Sequence, residues 1–204
     1  MYEVEATTGG MLHIIGTNMS AEASSPKLEN NADAALVAAV RAGDRDAFGR
    51  LYDAYSRMVH GILLARVPYG EVDDLVQDVF LVALRKIDAL RDAGSFGPWL
   101  AMITRNRAMD FHRRTRDTAE LTDDIATTAN AAAPEAEAVE VLNLIRQLPE
   151  AYREPLILRF VEGMTGPEIA ERTGLAPASV RVNIHRGMKL LRERLGETKY
   201  EREH

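Results

Sequence analysis

The residues that usually carry covalent chemistry are not grouped in this chain. Its five histidines, His13, His60, His112, His185 and His204, are scattered. No His-Glu-x-x-His run occurs, and no glycine loop precedes a Lys-Ser/Thr pair. There is no cysteine, which excludes a disulfide framework and a thiolate metal site. We therefore expect no catalytic residue, no metal and no cofactor. What remains is recognition by charge, and here the sequence is informative.

The formal net charge of −6 looks wrong for a nucleic-acid binder, but the charge is sorted along the chain. Glu71, Asp73, Asp74 and Asp78 form an acidic block. From Arg85 to Arg116 eight bases face only Asp88, Asp92 and Asp110. From Asp117 to Glu140 the sign reverses, and Arg181, Arg186, Lys189, Arg192 and Arg194 make the end basic again. Screening acts over about 8 Å at physiological salt, so local patches outweigh the distant total.

The segment Thr165 to Arg181 has the punctuation of a helix-turn-helix. Thr165 stands three residues before Glu168, the capping-box spacing. Ala170 is small where two helices would cross. Gly174 suits a left-handed helix end, and Pro177 suits the first turn of the next helix. Along that helix Val180, Ile184, Met188, Leu191 and Leu195 gather in a core stripe of about 80°. Ala178, Ser179, Arg181, Val182, His185, Arg186 and Lys189 are placed to meet DNA, with donors for base edges and small groups for thymine methyls. A solvated basic face has the same composition; the glycine turn beside it favours the DNA reading.

Two further helices are two-faced. Between Val72 and Leu90, the apolar Val72, Leu75, Val76, Val79, Val82 and Ala83 oppose Asp74, Gln77, Asp78, Leu81 and Arg85. An acidic surface around an exposed leucine fits protein docking, although an ordinary solvated face reads similarly. Between Gly97 and Arg114, Trp99, Ile103, Asn106 and Asp110 share a stripe among Arg105, Arg107, Arg113 and Arg114. Buried polar groups there need partners: either neighbouring arginines satisfy them, or they line a pocket at the Arg91–Ser95 loop.

The elements that position these residues are all helical. With 204 residues, 46% of them apolar, there is room for one ordinary domain or two small ones. Helical spacing begins at Asp33 and continues to Arg114, broken near Gly43, Pro68-Tyr69-Gly70 and Arg91–Ser95. Residues 115–138 have too few large apolar side chains to fold and read as a flexible acidic linker. Four shorter helices are expected near Val139–Gln147, Pro149–Glu162, Thr165–Thr173 and Ala176–Leu195, with a local kink at Pro155. Residues 1–32 read as a disordered extension and 197–204 as a fraying tail. No apolar run reaches the roughly 18 to 20 residues that span a membrane, and no secretory signal is evident, so no membrane insertion and a cytoplasmic location are expected.

Asp73-Asp74-Leu75-Val76-Gln77-Asp78-Val79-Phe80, Phe96-Gly97-Pro98-Trp99-Leu100 with Asn106 and Asp110, Leu148-Pro149-Glu150 with Tyr152-Arg153, and the helix-turn-helix resemble, in order and spacing, an extracytoplasmic-function sigma factor of the sigma-70 family. The resemblance covers Asp33 to Leu195. It implies an all-α fold of two small helical domains, a sigma-2 bundle over 33–114 and a sigma-4 helix-turn-helix domain over 139–196. It implies a non-catalytic subunit that binds core RNA polymerase and directs promoter recognition, promoter melting and transcription initiation. Asp73, Asp74, Gln77, Asp78 and Leu81 would dock on the coiled coil of the polymerase clamp. The minus-ten element would meet Leu90, Arg91, Asp92, Ser95, Phe96, Arg105, Asn106, Arg113 and Arg114, with one base flipped from the stack. The helix from Ala178 to Lys189 would read the minus-thirty-five element while its domain touches the polymerase flap. An anti-sigma factor is a further implied partner. Val182 and Asn183 depart from the residues many relatives carry, so the base preference of those relatives is not carried over.

A two-domain regulator that never joins polymerase is the chief rival reading, but it leaves the acidic face and Leu81 without a purpose. A sigma mimic that only binds an anti-sigma factor leaves the basic helices without one. Promoter elements one and a half to two helical turns apart lie roughly 50–70 Å apart, a distance that two domains on an extended linker can span.

Overall fold

The computed structural model describes residues 26–119 and 133–203. Among these residues there is no strand. The first module contains α1 (Pro26–Arg41), α2 (Arg45–Leu64), α3 (Val72–Lys86) and α4 (Phe96–Ala119), with 3-10 turns at Tyr69–Glu71, Ile87–Ala89 and Ala93–Ser95. The second contains α5 (Ala133–Arg146), α6 (Glu150–Phe160), α7 (Gly166–Thr173) and α8 (Pro177–Glu203).

Local chemistry accounts for the breaks. Asp44 caps α2 by accepting hydrogen bonds from the backbone N–H groups of Asp46 and Ala47, at 2.9 and 3.0 Å. Thr165 and Glu168 close the expected capping box at the start of α7. Gly174 ends α7 with φ of 74°, a conformation that a side chain would strain. Pro177 opens α8, where its missing N–H costs nothing.

In the first module, Leu51, Met58, Ile62 and Leu63 of α2 are buried with Val76, Val79 and Phe80 of α3 and Phe96 and Leu100 of α4. The Arg41 guanidinium donates to the carbonyl oxygens of Ile87 and Leu90, tying α1 to the chain just before α4. In the second module, Leu142, Ile145, Leu156, Ile157, Ile169, Val180 and Leu191 form the core. There α6 crosses α8 so closely that a Cβ on Gly187 would lie 2.8 Å from Leu156. Pro155 is buried within α6, and the helix continues past it.

Several helices outrun the sequence expectation. α1 begins at Pro26, α4 runs to Ala119, α5 starts at Ala133 and α8 continues to Glu203. Apolar periodicity stops at the core's edge, whereas adding polar residues to a nucleated helix is cheap. Pro134 falls in the first turn of α5, where proline is tolerated. The rest of the expected linker, 120–132, and residues 1–25 lie outside the described residues.

The two modules touch each other: α2 packs on α6, and α4 packs on α7.

Replacing Thr165 by Ala removes the cap of α7. Chemical denaturation should report a loss of about 1 kcal/mol. An unchanged midpoint would mean that the capping box contributes nothing.

Candidate polymerase and promoter interfaces

The outward face of α3 carries Asp73, Asp74 and Gln77 exposed and Asp78 half-buried. Leu81 is 49% exposed at the edge of this acidic surface. Two residues that the sequence reading left out enlarge its apolar part. Leu84 is exposed one turn beyond Leu81, and Tyr52 of α2 lies with its ring 4.5 Å from that of the buried Phe80. Leu84 was legible from the i, i+3 spacing.

At the loop before α4, Arg91 and Asp92 are exposed and Ser95 is half-buried. The Asp92 carboxylate accepts from the Gly94 N–H at 3.1 Å and from Ser95 Oγ at 2.6 Å, which shapes a tight turn. Leu90 and Phe96 behave otherwise than expected. Both are buried, Phe96 completely, with its ring 5.2 Å from Tyr55 and 5.8 Å from Trp99. Their apolar side chains anchor the loop's two ends in the core and do not line its mouth.

Along α4, Asn106, Arg113 and Arg114 are exposed. Asp110 is half-buried and accepts from Arg113 at 3.0 Å, so a neighbouring arginine does satisfy it. Met102 and Met109 stand exposed on the same side as Asn106, and Met109, Asp110, Arg113 and Arg116 line a shallow depression. The methionines sit at i−4 and i+3 from Asn106, a spacing that a search for charge alone passes over.

All seven expected residues of the recognition helix, Ala178, Ser179, Arg181, Val182, His185, Arg186 and Lys189, are exposed on α8. Arg181, Val182, His185 and Arg186 line a second open depression. On the other side, Val180 and Leu191 are buried, Ile184 and Met188 are partly buried, and Leu195 is exposed.

Arg105 is the largest departure from expectation, because it faces the second module. Its Nη2 and Nε donate to the two carboxylate oxygens of Glu154 on α6, at 2.6 and 3.2 Å, and Nη2 also reaches the carbonyl of Thr173. Arg66, just past the end of α2, brings Nη1 to 2.8 Å from the same carboxylate. Glu154 is 3% exposed. Around this centre Arg146 of α5 donates to the carbonyls of Leu64 and Val67 at 3.0 and 2.6 Å, supplying partners at the α2 C-terminus. Burial lowers the pKa of Arg146. Arg172 of α7 donates to the carbonyl of Ala54 and lies over the Tyr55 ring. Two glycines let the backbones meet. A Cβ on Gly61 would sit 2.7 Å from Leu158, and one on Gly97 would sit 2.9 Å from the Arg172 carbonyl.

The fold and its surfaces define a two-module helical protein, with a helix-turn-helix in one module and opposite charges on separate faces. Residues 51–118 match the family described as Sigma-70 region 2, and residues 138–191 match Sigma-70, region 4. The chain is 35% identical to the RNA polymerase sigma factor CarQ of Myxococcus xanthus, over 79% of this chain and 96% of that protein. It is 33% identical to the ECF RNA polymerase sigma factor BldN of Streptomyces coelicolor, over 76% of this chain and 63% of that longer protein. Among solved structures, CnrH in complex with the cytosolic domain of CnrY superposes with a TM-score of 0.60 at 27% identity, covering 81% of this chain and 98% of that one. The chain belongs to the sigma-70 family of RNA polymerase sigma factors, in its extracytoplasmic-function group. Its function is promoter-specific transcription initiation with core RNA polymerase.

The contact between the modules also contains a histidine bonded to a carboxylate. His60 Nδ1 lies 2.6 Å from Glu162 Oε1. That hydrogen bond raises the His60 pKa; burial opposes it, and the charges of Glu162 and Asp73 add to the rise. A histidine whose pKa is raised in the closed form stabilises that form fully below its ordinary value near 6.5. The contribution is lost as pH rises through the raised value. Energy transfer between dyes on the two modules should therefore fall as pH rises above about 6.5, and a His60→Gln variant should flatten the profile. The same slope in both proteins would assign the effect to other groups.

Proposed function

We propose that three outward faces divide the labour of initiation. The acidic face of α3, with Asp73, Asp74, Gln77, Asp78 and Leu81, docks on the polymerase clamp, and Leu84 and Tyr52 extend its apolar part. Arg91, Asp92, Ser95, Asn106, Arg113 and Arg114 form the minus-ten surface. The exposed side of α8 from Ala178 to Lys189 reads the minus-thirty-five element, with Arg181 on a base edge, Val182 against a thymine methyl and Lys189 on a phosphate.

One observation carries this reading. The acidic face of α3 and the basic faces near α4 and on α8 all stand in solvent, while each helix buries its apolar stripe. The protein acts as a non-catalytic subunit in the cytoplasm, where polymerase and promoter are. An anti-sigma factor is the remaining proposed partner, by analogy with CnrH, which is found in complex with the cytosolic domain of CnrY.

The closed arrangement is a resting form. Pro98, at the minus-ten end of α4, lies 3.1 Å from where a Cβ on Gly174 would stand, in the turn of the helix-turn-helix. Promoter elements that lie roughly 50–70 Å apart cannot both be held by modules in that contact. Engagement of a promoter separates them.

Run-off transcription with core RNA polymerase tests the reading. The wild-type chain should direct initiation from a subset of a promoter library, and no transcript above core alone would overturn the reading. Reversing Asp74 and Asp78 to Lys should abolish polymerase binding with the helical content intact; retained binding would move the docking site elsewhere. Arg181→Ala should cost about 1–3 kcal/mol on promoters with the preferred base. Equal weakening on every sequence would make Arg181 a phosphate contact.

A further inference from the structure

We infer that Arg66 and Arg105 form a seat for a DNA backbone phosphate, and that Glu154 occupies it in the closed protein as an intramolecular stand-in. This inference rests on the sigma-factor reading above and deepens it, by adding a site and a competitor for that site.

Two guanidinium groups converge on one buried anion, and one of them is left without a hydrogen bond to it. Arg105 takes both oxygens of Glu154 in the plane of its fork, at 2.6 and 3.2 Å. Arg66 Nη1 comes within 2.8 Å of one of those same oxygens. Yet it approaches at an angle that makes no hydrogen bond, and Nη1 is left without a bonded partner despite being buried. Arg105 takes one acceptor site on each carboxylate oxygen, and Arg66 does not reach a second one in bonding geometry. A phosphate diester carries its two charged oxygens on a tetrahedral centre, with the ester oxygens out of their plane. It can present one oxygen to each guanidinium, and Arg binds such groups through paired N–H donors. The other terminal nitrogen of Arg66, Nη2, lies 3.6 Å from Glu150, too far for a hydrogen bond.

Two observations select DNA as the source of that phosphate. Arg105 lies on α4 next to Asn106, and the exposed Arg113 and Arg116 continue the same helix, so a strand laid along α4 would bring successive phosphates past it. The polymerase-docking face is acidic and belongs to α3, so its partner there would have to be basic and would not fill an anion seat. Closure thus hides a cationic pair that the open protein offers to a promoter.

The test uses the full chain, which has no cysteine and so accepts dyes at Lys86→Cys and Glu193→Cys, both at exposed positions. Energy transfer reports closure, and anisotropy reports binding of a short labelled single strand of mixed sequence. Glu154→Gln keeps the shape and removes the charge. It should lower energy transfer and tighten strand binding about tenfold, as the apparent affinity rises with the open fraction. It should also steepen the dependence of log affinity on log salt by about 0.7, the increment for one more phosphate contact on a single strand. Adding Arg105→Ala to Glu154→Gln should remove both gains. If Glu154→Gln leaves the modules closed, Gly97→Val forces them apart by collision with the Arg172 backbone, and the same tightening is expected. Open protein with unchanged strand affinity would overturn the seat. So would a double variant that binds as tightly as Glu154→Gln. Inorganic phosphate is the second probe: opening by phosphate without any gain toward the strand would mean that the seat takes the free ion and not DNA. Run-off transcription by the wild-type chain is measured alongside. Transcription without the Glu154→Gln gain sinks the seat alone, whereas no transcription sinks the reading on which it rests.

Discussion

A charge withdrawn from water must be met by opposite charge and by hydrogen bonds, or the desolvation cost is not recovered. Glu154 is one of the buried carboxylates on which this constraint falls, and meeting it draws together the end of α2 through Arg66, the middle of α4 through Arg105 and the end of α7 through the Thr173 carbonyl. Once that point is satisfied, the relative position of the modules is largely determined. Arg146 on the α2 C-terminus and Arg172 over Tyr55 reinforce an orientation already chosen. The contact is rich in guanidinium groups that bond carboxylates and backbone carbonyls. Buried Leu158 against Gly61 adds an apolar part to it. On separation, the buried charges return to water and regain the hydration they had lost, so the open and closed forms need not differ greatly in free energy.

The surfaces left outside by closure are as informative as those covered. The acidic side of α3 and the basic side of α8 stay exposed, while Arg105 and Arg66 are turned inward. Nonspecific affinity for DNA grows with each cation available to a phosphate, so a protein with a net charge of −6 that also hides two arginines is poorly suited to binding DNA alone. The docking face carries no such restriction. On the proposed reading, polymerase can be engaged before the promoter is read.

How much of this was legible in the sequence depended on how local the cause was. Thr165, Glu168, Gly174 and Pro177 act within a few residues of themselves, and the helix-turn-helix they punctuate could be read directly. The two-sidedness of α3 followed from periodicity. Leu90 and Phe96 were harder. They flank a loop whose polar residues face solvent, but an apolar side chain at a loop's end can serve either as an anchor or as a contact, and only the packing against Tyr55 and Trp99 decides between them. The Arg105–Glu154 pair joins residues 49 positions apart on different modules, and nothing in either neighbourhood marks the partner. Gly61 and Gly97 carried a faint signal, since glycine within or at the start of a helix has a cost that close packing can justify. The extended ends of α4 and α5 escaped notice because polar residues continue a helix without leaving a periodic trace.

Those longer helices change how far the open protein can reach. With α4 running to Ala119 and α5 beginning at Ala133, the chain between them spans at most about 45–50 Å when fully extended. This is enough, with the widths of the modules, to serve elements roughly 50–70 Å apart, but it leaves little slack. A tether this short keeps the two modules at an effective concentration in the millimolar range even when they are separated. Glu154 therefore remains a strong competitor for the arginine pair after opening. A lone phosphate ion in solution must outbid it with a single contact. A promoter strand arrives with many phosphates and with polymerase holding the first module beside it, and so displaces the carboxylate by combined binding. The same tether that allows the modules to reach two promoter elements thus makes the seat respond to DNA on polymerase in preference to ambient anions.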